Sequence, residues 1–102
     1  MATSVGPITA TPGLPGGNRA VLDVTTATVV KASAGILVSV SVIVAGSATG
    51  TVNDIATTGG AAAANQFGTI PNTVGTYTWN WPCSTGIVVV PGSGQTLAVS
   101  FT

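Results

Sequence analysis

Side chains able to do acid–base, nucleophilic or metal chemistry are few in this chain of 102 residues: Asp23, Asp54, Tyr77 and Cys83, beside the cations Arg19 and Lys31, with no histidine and no glutamate. General acid–base catalysis needs a group that titrates near the working pH, and His and Glu are its usual suppliers. Asp23 and Asp54 read as turn or strand-edge residues. Cys83 would need a base to form its thiolate, and no imidazole exists to serve, so it reads as a small buried side chain. Zinc asks for clustered His and Cys and calcium for several converging carboxylates, so Asn53-Asp54 is a turn pair rather than a ligand set. Gly92-Ser93-Gly94 lacks the lysine and following helix of a phosphate loop. The expectation is no catalytic residue, no metal, no cofactor and no enzyme.

The aromatic residues offer the other kind of chemistry. Tyr77, Trp79 and Trp81, three of the five aromatics, recur at a spacing of two, which places their rings on one face of an extended strand. On an exposed sheet such rings would form a platform for sugars. In a core they would supply most of the bulky apolar volume of a chain otherwise filled with Val and Ala, and the need to fill roughly 10 Å between two sheets favours that reading. Pro82 removes a ladder donor, Ser84, Thr85 and Gly86 have turn chemistry, and residues 87–90 are a β-branched run, so residues 76–90 read as a hairpin.

Only 4% of the chain is charged, where about 25% is usual. Two isolated cations cannot supply the counterion release that nucleic-acid binding rests on, and anionic membrane surfaces are disfavoured for the same reason. Solubility falls to 17 threonines and eight serines. With so little charge repulsion the expectation is a protein that works in an assembly. The lone Cys83 allows no intramolecular disulfide, and residues 1–7 lack the basic and apolar regions of a signal peptide, which points to folding in a cytoplasm.

The elements that would position these residues are strands. Residues 1–18 carry Pro7, Pro12 and Pro15 among glycines, without apolar periodicity, and read as an extended arm. The arm is either a loose terminus or a segment that orders on a partner through Ile8, Pro12, Leu14 and Pro15. Residues 19–102 form the domain. Residues 19–32 hold two short strands or one bent strand, with Asp23 and Lys31 able to pair. Residues 36–45 are the strongest strand, with Val38, Val40, Val42 and Val44 pointing inward. Further strands are expected at 51–57, 66–70 and 95–102, with a loop or one helical turn at 59–64. Seven or eight short strands with Gly, Pro, Ser and Asn punctuation predict an all-β fold, a small β-sandwich or jelly roll.

Four stretches also carry a likeness: Val29-Val-Lys-Ala-Ser-Ala-Gly35, Gly46-Ser-Ala-Thr-Gly-Thr-Val-Asn-Asp54, Thr69-Ile-Pro71, and Trp81-Pro-Cys-Ser-Thr-Gly-Ile-Val-Val-Val-Pro-Gly92 with Gly94-Gln95. Over residues 28–102 the chain resembles small β-rich virion structural proteins of tailed bacteriophages. The resemblance implies a capsid decoration, or cement, protein made in the host cytoplasm. Such a protein docks on the major capsid protein at the outer surface of the virion, often as a trimer, and stabilises the shell. Edge strands and exposed Val or Thr rows would make the contacts. It carries no catalytic residues across, and the arm lies outside it. A tail or head-fibre module, and a carbohydrate-binding module using the aromatic strand, are the alternatives.

Overall fold

The computed structural model describes residues 19–102. The arm and its contact residues Ile8, Pro12, Leu14 and Pro15 lie outside the described residues. Eight strands follow in order: β1 (Arg19–Val24), β2 (Thr28–Lys31), β3 (Gly35–Val44), β4 (Gly50–Asn53), β5 (Gln66–Ile70), β6 (Gly75–Cys83), β7 (Ile87–Val90) and β8 (Thr96–Phe101). A 3₁₀ turn at Thr58–Gly60 interrupts the loop between β4 and β5.

The strands form two antiparallel four-stranded sheets, ordered β1-β8-β3-β6 and β2-β7-β4-β5. Within them β1 pairs with β8, β2 with β7, β3 with β6 and β4 with β5. That is a ribbon of four strand pairs rolled up on itself, the double-sheet jelly roll. The all-β expectation holds, and the topology selects the jelly roll from the two architectures the sequence allowed. Residues 19–32 resolve into two strands in different sheets.

The core is aliphatic. Leu37, Val40, Val42, Leu97, Val99 and Phe101 from the first sheet meet Val52, Ile70, Ile87 and Val89 from the second. Each such side chain contributes about 1.5–3 kcal/mol on leaving water. The strands that supply them alternate as a two-layer fold requires: β8 reads intermediate, buried, intermediate, buried, intermediate, buried. The valine row of β3 is buried at Val38, Val40 and Val42, but Val44, which pairs with Thr96 after a register shift that separates it from Val42, is 50% exposed.

The expected hairpin at residues 76–90 does not form. β6 lies at the edge of one sheet and β7 in the interior of the other, so residues 84–86 cross between layers instead of turning back. Turn chemistry and a returning β-branched run fit a crossing as well as a hairpin. The choice falls to long-range pairing, which local residues do not encode.

All four edge strands are bulged. β1 gains a residue between Val21 and Val24, β2 between Val29 and Lys31, β5 between Gln66 and Gly68, and β6 between Thr78 and Trp81. Asp23 (φ 56) and Asn80 (φ 50) take left-handed backbone at the bulges of the first sheet's two edge strands. Asp and Asn are the side chains that tolerate this conformation best after glycine. Bulges twist an edge away from foreign strands.

Candidate functional site

Of the groups singled out for chemistry, Asp54 and Cys83 come close enough for the charge of one to act on the other, but no group of three or more metal-ligating side chains forms among the described residues. Asp23 is exposed at the β1 bulge. Asp54 follows β4 and accepts three backbone hydrogen bonds from the crossing segment: Ser84 N–H to Oδ2 at 2.9 Å, Thr85 N–H to Oδ1 at 2.8 Å and Gly86 N–H to Oδ1 at 3.3 Å. Burial pushes its carboxyl up, but the three N–H groups outweigh that and hold it below the ordinary carboxylate value. Asp54 is thus the anchor of the 84–86 crossing. Lys31 does not pair with Asp23. Its Nζ donates to the Thr102 carbonyl at 3.2 Å.

Cys83 ends β6 opposite Gly35 and is buried, as expected. Burial, with the Asp54 charge behind it, pushes the thiol up to about 11, although a backbone hydrogen bond from Leu37 opposes the rise. At neutral pH the sulfur is a protonated apolar filler.

Neutral amides hold the loops. Asn72 makes a two-way bond to Gly46, its Oδ1 accepting from N–H and its Nδ2 donating to the carbonyl, both at 2.7 Å. Buried Gln95 accepts from Gly92 N–H at 2.8 Å and donates to the Pro71 carbonyl at 3.0 Å. Buried Asn53 donates to Thr51 Oγ1 and the Val88 carbonyl. In a chain with four charged residues these amides do the fastening that ion pairs do elsewhere.

The aromatic row splits. Tyr77, opposite Val40, and Trp79 are half-buried and pack against the core. Trp79 lies over Gly68 of β5, where an added Cβ would collide with the indole nitrogen. Trp79 thus bridges the edge strands β6 and β5 at the side of the sandwich. Beyond the bulge, Trp81 is 43% exposed and stacks on Phe67 of β5, with centroids 5.1 Å apart and planes at 5°. Phe67 drew no attention in the sequence because its partner lies in another sheet.

Two further surfaces complete the inventory. Val42 pairs with Gly75, and the chain continues from there into Ile43, Val44 and Val74, which are 55%, 50% and 62% exposed. The sequence placed Val44 inside, and Val74 lies in the loop just before β6, so this apolar end was missed. Over the second sheet, a depression of about 360 Å³ lies between β4, Val90 and the 58–66 loop, lined by Thr51, Asn53, Ala61, Ala63 and Gln66 among others, with no charged side chain in its wall.

No protein-family model, curated protein or solved structure matches the chain.

Proposed function

We propose that this protein is a capsid decoration protein that binds the major capsid protein of a tailed-phage shell, alongside copies of itself, and stabilises the shell without enzymatic activity. The observation that carries the reading is the apolar end formed by Ile43, Val44 and Val74 on a jelly roll with only four charged residues. Exposed apolar residues on neighbouring stretches of chain suit a contact with another protein. Bulged edges make side-chain docking a better route than strand addition. The resemblance of residues 28–102 to phage virion proteins supplies the identity of the partner.

The test is the copy number of the protein in purified particles and its dependence on that end. Many copies in fixed ratio to the capsid protein are expected. The double substitution Ile43→Asp and Val74→Asp is expected to fold with stability within about 1 kcal/mol of the wild type, since both sites are exposed, and to fail to bind particles. Absence from particles, or presence at the tail alone, overturns the decoration reading; the second result favours the tail-module alternative.

A further inference from the structure

The surface of this protein holds one ring that is both open to solvent and fixed in place. We infer that Trp81, backed by Phe67, is a stacking platform for a neutral sugar ring. The electron-rich face of an indole attracts the C–H groups on the apolar face of a pyranose, as it attracts other groups of partial positive charge.

Three observations support the assignment. Trp81 is held parallel to Phe67, at 5.1 Å and 5°, and Phe67 itself packs against the core. A ring supported in this way loses little freedom when a ligand arrives. Its exposure of 43% leaves on the order of 100 Å² of the residue open. That area suits contact with one sugar ring. Little charge is available to compete: the whole chain has four charged residues, and the carboxylate of Asp54 is committed to the backbone N–H groups of residues 84–86. Trp79 and Tyr77 are not part of the platform, because both pack against the core. The inference is independent of the decoration reading.

Two tryptophans give two indole N–H signals in a ¹H–¹⁵N spectrum, and Trp81→Ala assigns them. The probes are glucose, galactose, N-acetylglucosamine and their neutral trisaccharides, titrated into the full chain. A saturable shift of the Trp81 signal in the millimolar range is expected with at least one probe, absent in Trp81→Ala, and about three- to tenfold weaker in Phe67→Leu. No saturable Trp81 shift with any probe overturns the assignment. So does a shift located at Trp79, or movement of the Trp81 signal on dilution without sugar, which would make the ring a contact between copies.

Discussion

Asp54 shows how a single carboxylate organises a neutral chain. Its three accepted N–H bonds fix the point where the chain leaves β6 and enters the other sheet. An amide at this position offers one acceptor oxygen and turns an N–H₂ toward the donors, so Asp54→Asn is expected to cost about 1–2 kcal/mol, a range kept modest by partial solvent access. The pH dependence follows from the direction of the shift. The folded pKa lies below the unfolded value of about 3.9, so the contribution is fully present above that pH and is lost as pH falls through the folded pKa. Thermal melts of wild type and Asp54→Asn should therefore converge as the pH is lowered below about 4. A gap that stays constant down to pH 2 would show that the charge is not what matters. The sequence marked Asn53-Asp54 as a turn pair and stopped there, since the donors are 30 to 32 residues away.

At the scale of elements, the edge strands β6 and β5 are bridged at the side of the sandwich by Trp79. Trp79 fits because Gly68 has no side chain: a Cβ there would meet the indole and press on the Val52 side chain, 3.0 Å away. Gly68→Ala is expected to destabilise by about 1–3 kcal/mol, as overpacking does, and to raise the fluorescence exposure of Trp79. Denaturant unfolding with quenching checks both, and a neutral substitution would mean that Trp79 is not seated on the strand. The strands themselves were legible from alternation in Val, Leu and Ile. Their partners were not. Tyr77, Trp79 and Trp81 share one spacing, yet the bulge at Asn80 leaves two against the core and one in solvent.

At the scale of the whole molecule, four charged residues in 102 leave little for salt to screen. The melting temperature is expected to change by less than about 2 °C between about 0.05 and 0.3 M NaCl, since exposed ion pairs contribute about 0–1 kcal/mol at most. A larger change would reveal an electrostatic term that the geometry does not contain. Edges normally guarded by lysine are guarded here by backbone bulges, which add no charge to the surface.

By itself the sequence determined the class of structure: all-β, strands cut by Gly and Pro, and a composition nearly without charge. These are properties of local pattern and composition, so they need no partner to be read. Only the tertiary structure decided that residues 84–86 cross between sheets, that Trp81 finds Phe67, that Val44 meets solvent and that Asp54 holds a distant loop. Each depends on which strands lie side by side, and in a rolled ribbon that pairs β1 with β8 those neighbours come from opposite ends of the chain.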